Sequence, residues 1–307
     1  MVGAFSGIGR LREARRSPGR ETGRMDVLNI PVAPDLLGRW RAWLAPERQP
    51  LFLTAQEAAG LDLPTVPRAD LRLSPEERDT LTLWAVAPAA DRVAWLDRAG
   101  WAALDAWQRR ELLRLQVRHG RGNVPLGRHY AGLLPELPPG RFLWSPEHLT
   151  PGVLARLLSV GQAACRRAAV PEAVWDAARE VLPGVRDLAG TFSRGRGNCF
   201  GAVMGAAGVA GAADEWTQRD PFGAFLAART RPAPSRSGGH DDRPGTVLVW
   251  RTSDGLVQHA AVTLGGGWAF QKASQSWTTP RVVLPAAELK RRNRAPGWRL
   301  ERHTLSR

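Results

Sequence analysis

Lysine is almost missing from this 307-residue chain. Lys272 and Lys290 are its only two, although Lys and Arg together number 43. Isoleucine is equally scarce and Tyr130 is the single tyrosine, while Ala, Gly, Pro and Arg abound. That skew is the mark of a GC-rich genome. The formal net charge of +14 is therefore a property of composition, spread along the whole chain. A dedicated nucleic-acid binder gathers its charge on one face or stripe, so nucleic acid is disfavoured as a partner. Two cysteines, Cys165 and Cys199, are too few for a disulfide framework and too far apart for a zinc pair. No apolar run reaches the roughly 18 residues of a membrane span. The opening MVGAFSGIGRLREARRSPGR lacks the apolar core of a signal peptide, so the expected location is cytoplasmic, with no membrane partner. No cofactor is implied. His240, Asp241 and Asp242 share one loop without a second ligand cluster, a poor metal site.

A hydrophobic fraction of 43% with 13 Trp is ample for packed cores, and the length predicts two domains. Residues 1–24 are Arg- and Gly-rich without periodicity and read as a disordered basic extension. Met25 then opens DVLNIPVAPDLLGRW, which looks like a domain start, so either Met25 is the true initiator or the extension is a basic arm. Residues 25–140 read as an all-helical domain of unknown role. Its clearest piece is DRVAWLDRAGWAALDAWQRRELLRLQ, where Trp95, Ala99, Ala103, Trp107 and Leu115 recur near helical spacing. The Pro-rich LLPELPPGRF marks the boundary. Residues 141–307 begin with helices opened by Thr150-Pro151 and Pro171-Glu172, the first carrying Cys165 as a partly buried, inert residue. Strands follow in TVLVWR, VQHAAVTL, WAFQKAS and SWTTPRVV, then a helix in LPAAELKRR and a last strand in GWRLERH.

The chemistry gathers at Cys199, in GRGNCFGAVMGAAG. A thiol needs help to ionise near neutral pH. A helix starting at Cys199 offers unpaired N–H groups and a partial positive charge, which also suit a developing oxyanion. Asn198 and Arg196, with Arg194, are the expected support. Gly201, Ala202, Gly205 and Ala206 would let the helix lie close on a sheet. In VQHAAVTLGGGWAFQKAS, a three-residue Gly265–Gly267 loop pairs Leu264 with Trp268 and Ala261 with Gln271. His259 and Gln271 then project from one face as diagonal neighbours, amid the small Ala261, Ala269 and Ala273. A neutral His259 can take the thiol proton, with the Gln271 carbonyl orienting its ring.

These residues resemble the NlpC-type branch of the papain-like superfamily, which includes bacterial cell-wall endopeptidases and related amidases. Asn198-Cys199-Phe200-Gly201 stands where that family has Asp-Cys-Ser-Gly. Arg243-Pro244-Gly245-Thr246 precedes one strand, and His259-Ala260-Ala261-Val262-Thr263-Leu264-Gly265 matches the histidine strand position by position. Gln271 falls where the third polar residue belongs. The likeness covers residues 170–285. It implies an α+β papain-like catalytic domain, a helix packed on an antiparallel sheet. The implied activity is hydrolysis of an amide or peptide, muropeptide-like by family analogy, through a thioester. An acyltransferase using the same thioester, and a non-catalytic scaffold on a degenerate papain-like domain, are the other expectations.

Overall fold

The computed structural model describes residues 25–233 and 239–306. The extension read in residues 1–24 lies outside them. The described chain is mixed α and antiparallel β, in keeping with the α+β class. It begins with a hairpin, β1 (Met25–Val27) and β2 (Ile30–Val32), turned by Leu28 and Asn29, both at positive φ. Helix α1 (Pro34–Leu44) follows, with Pro34 at its first position.

The stretch after α1 departs from the all-helical expectation. It holds a three-stranded antiparallel sheet in the order β3 (Arg48–Leu53), β5 (Arg92–Asp97), β4 (Val66–Pro67). Between these strands lie α2 (Ala55–Gly60) and α3 (Pro75–Thr80), each opened by a capping box, from Thr54 with Glu57 and from Ser74 with Glu77. The segment with helical spacing is divided among β5, α4 (Arg98–Ala103) and α5 (Ala106–Arg118). Asp97 and Asp105 cap the two helices, and their side chains take backbone N–H groups that a continuous helix would use itself. Val93 and Ala94 are fully buried in β5. The buried Gln116 of α5 seals the edge of β3, its amide accepting from Phe52 N at 2.7 Å and donating to Phe52 O at 3.1 Å.

Helix α6 (Pro151–Ser159) stops before Cys165, which lies in an extended segment instead of a helix. The cause is backbone pairing: Cys165 N donates to Leu28 O, and Arg166 N donates to Val283 O. Helices α7 (Glu172–Arg179) and α8 (Val185–Leu188) lead to α9 (Cys199–Ala206), then α10 (Arg219–Arg229). The remaining elements are β6 (Thr230–Ala233), β7 (Pro244–Arg251), β8 (Val257–Gly265), β9 (Trp268–Lys272), β10 (Arg281–Pro285), α11 (Ala286–Arg292) and β11 (Arg299–Leu305). They build a six-stranded antiparallel sheet in the order β10-β9-β8-β7-β11-β6.

The principal core joins both halves of the chain. Val27, Ile30, Leu36 and Trp40 pack in the same cluster as Phe192, Val203, Val249 and Phe270. The first hairpin and α1 therefore share the core of the large sheet, and Leu134 joins them there. Two smaller cores serve β3, β5, α2 and α5. No helix among the described residues is long and apolar enough to cross a membrane.

Candidate active site

Asn198 is the N-cap of α9. Its Oδ1 accepts from Gly201 N at 2.9 Å, and its Nδ2 donates to Thr217 O at 2.7 Å. These two bonds anchor Asn198 at the helix start and leave one N–H of its amide without a bond to the protein. The small residues of α9 divide their tasks. Ala202 and Ala206 are fully buried in the core. Gly201 and Gly205 face residues 212–215: a Cβ on Gly201 would sit 2.2 Å from Ala212 O, and one on Gly205 2.7 Å from Ala213 Cβ. The glycines thus seat the helix on this turn, and the alanines take the core side.

The hairpin of β8 and β9 reaches the expected register by a different turn. Gly265 pairs with Trp268 across a two-residue turn, Gly266-Gly267, with both residues at positive φ. Alone, that turn would put His259 and Gln271 on opposite faces. An irregularity between Thr263 and Gly265 shifts the ladder by one residue, so that Val262 pairs with Phe270. Ala261 and Gln271 then share a face, as do Trp250 and His259.

His259 Nε2 lies 3.0 Å from Gln271 Oε1. The proton on this contact can be assigned from its surroundings. Asn293 Nδ2 donates to Leu289 O at 2.9 Å and to Gln271 Oε1 at 2.6 Å, which makes Oε1 an acceptor. Nε2 must donate, and Nδ1 keeps the basic lone pair. Burial drops the imidazole to about 4, opposed by the Gln271 bond.

The last registered pair between β8 and β9 is Val262↔Phe270. Beyond it, β8 continues beside β7 and β9 beside β10. The Cys199 thiol is buried at the start of α9, which packs against β8 and β9. Burial pushes Cys199 up to about 11, opposed by the Ala260 N–H, the Lys272 ammonium and the N–H groups of Phe200 and Cys199 itself. Cys199, His259 and Gln271 are all buried. No thiol–imidazole hydrogen bond is formed among the described residues, and with these values the proton rests on sulfur.

Among the described residues, Lys272, which no motif in the sequence marks, lowers the Cys199 thiol electrostatically. The expected Arg support, Arg194 and Arg196, is exposed while the thiol is buried. Arg194 reaches Asp35 at 3.0 Å, and its carbonyl is held by Arg39 at 2.6 Å. Lys272 is fully buried, and its Nζ donates to Ser274 O at 2.8 Å and Ser276 O at 2.5 Å. Burial drops it to about 7. Arg281 pushes it the same way, while Asp79 and the Cys199 thiolate pull it back up. Asp79 comes from α3, with the side chains of Ser276, Trp84 and Gln275 against it, and burial raises its carboxyl. Thr80 Oγ1 accepts from Trp277 Nε1 at 2.8 Å. The smaller sheet's helix is thereby fastened over the segment that follows β9.

His240, Asp241 and Asp242 form no metal centre. Asp241 is held by Arg302 at 2.8 Å and by Lys290, and no cluster of three or more His, Cys, Asp or Glu suited to a metal occurs among the described residues. No protein-family model, curated protein or solved structure matches the chain.

Proposed function

We propose that this protein is a cysteine hydrolase of papain-like design, akin to the NlpC-type enzymes, cleaving an amide or peptide bond. The observation that carries the reading is the relay Leu289–Asn293–Gln271–His259, which fixes the imidazole tautomer on the two strands against which the helix begun by Cys199 packs. His259 Nδ1 takes the thiol proton as the sulfur attacks the carbonyl carbon. Nε2–H stays on Gln271 throughout. The oxyanion develops near the N–H groups at the start of α9, and the imidazolium returns its proton to the leaving amine. Water then attacks the thioester by the reverse path. An amine in place of water would make the same site an acyltransferase. A muropeptide-like substrate is the choice that family analogy favours.

The buried, uncharged resting state favours a second reading, a scaffold that keeps the fold without turnover. Iodoacetamide labelling of the folded protein near neutral pH, followed by peptide mapping, separates the two. A catalytic site labels Cys199 faster than Cys165, and His259→Ala removes the difference. Equal rates, or preference for Cys165, would leave the scaffold.

A further inference from the structure

Away from Cys199, α5 presents a second apolar face. Leu112 and Leu115 point into the core shared with β3 and β5. Leu113 and Val117, one helical turn apart, line instead an open groove of about 720 Å³ that Leu137, Pro138 and Gly140–Leu143 also line. That volume lies within the range of about 300–1,000 Å³ typical of small-molecule sites. Phe142 and Trp101 extend the apolar floor. Val117 is 42% exposed, an unusual position for a valine beside a cavity.

The rim is cationic. Arg109, Arg110 and Arg114 stand along α5, and Arg141 faces them from the opposite wall. Arg141 is held in place by donating to Val124 O at 2.7 Å. Arg114 is paired with Glu111 at 2.8 Å. Arg109 and Arg110 make no side-chain ion pair or hydrogen bond among the described residues. No carboxylate lines the groove. With Arg114 offset by Glu111, Arg109, Arg110 and Arg141 leave an excess of positive charge around one concavity, which an anion there would offset. Their planar forks suit a carboxylate or a phosphate.

We infer that this groove binds a single-chain amphiphile with an anionic head, its tail along Leu113, Val117 and Phe142 and its head among the arginines. Nothing in the proposed hydrolase chemistry requires it, and it stands or falls separately.

The test is displacement of a fluorescent fatty acid from the full-length protein, below micelle-forming concentrations. Dodecanoate and dodecyl phosphate should compete, and whichever does so at lower concentration identifies the head group. Butyrate, inorganic phosphate and dodecyltrimethylammonium should not compete. Arg109→Glu with Arg110→Glu, and separately Val117→Asp, should each weaken competition about tenfold or more. All three positions are outside the core, so melting temperatures should hold. The inference is overturned if dodecanol competes as well as dodecanoate, if inorganic phosphate alone competes, or if the variants bind like the parent. Capture of anionic vesicles without binding of monomeric amphiphile would overturn it in favour of a membrane surface.

Discussion

At the scale of single residues, the site is a chain of dependent hydrogen bonds, and its members should fail unequally. His259→Ala should slow Cys199 alkylation about 100-fold, the order expected for a lost general base. Gln271→Ala should cost about tenfold, because water can partly replace an orienting carbonyl. It should also lower stability by about 2 kcal/mol in a urea melt, since the buried His259 N–H and the half-buried Asn293 amide both lose their acceptor. If Gln271→Ala labelled as fast as the parent, the orienting role would be withdrawn. The low imidazole value sets a pH dependence. Between about 6.5 and about 4, the unfolded chain holds a proton on His259 that the folded protein does not. Stability from this group is complete above pH 6.5 and is lost as pH falls towards 4. From pH 7 to pH 5 the parent should lose about 2 kcal/mol more than His259→Gln in urea melts. An equal loss would place the titration elsewhere. Lys272→Met should keep the melting temperature near that of the parent, because a buried ammonium is costly to hold. It should also move the pH at which Cys199 begins to label upward. An unmoved profile would remove Lys272 from the site. The sequence did carry a signal for it: in a chain whose composition replaces Lys by Arg nearly everywhere, two lysines persist, one itself fully buried and the other paired with a buried Asp241. The distant Asn293 had no such mark, because its role depends on how α11 ends beside β9.

At the scale of elements, the second half of the chain was more legible than the first. Alternating apolar runs, a Gly-Gly-Gly turn and Pro-opened helices gave every strand of the large sheet except β6. Residues 25–140 misled because β5, α4 and α5 abut, and their joined apolar residues mimic one helical period. The Asp97 and Asp105 caps were the breaks to notice. The hairpin register agreed with expectation by two compensating departures, a shorter turn and a bulge at Leu264. Periodicity cannot reveal either, because a bulge depends on the partner strand. The seat of α9 is sharper still. Gly201→Ala should cost about 2 kcal/mol, the range for forcing a methyl group into a filled site, and lower the melting temperature by about 4–8 °C. A melting point unchanged by this substitution would show that residues 212–215 yield easily and do not fix the helix start.

At the scale of the whole molecule, the division at residue 140 is not where the packing divides. Val27, Ile30 and Trp40 share a core with the large sheet, and Thr80 and Asp79 meet the segment after β9. A chain beginning at Arg48 would lack the first hairpin and α1. It should melt at least 10 °C below the parent or fail to fold, as expected on removing several fully buried side chains worth about 2 kcal/mol each. Near-native melting of that chain would restore the two-domain division read from the Pro-rich segment.

Two lysines also set how the chain comes apart. A protease that cuts only after lysine has two sites in the entire length, at 272 and 290. Lys272 is fully buried in its strand, and the Lys290 side chain is 29% exposed and tied to Asp241. The folded protein should resist such an enzyme for as long as the large sheet stays closed. Once it opens, cleavage should give three pieces, the middle one running from Ala273 to Lys290 and carrying β10. Asn293 then leaves with the last piece and Cys199, His259 and Gln271 with the first, so the rate at which these fragments appear would report directly how often the proposed site is dismantled.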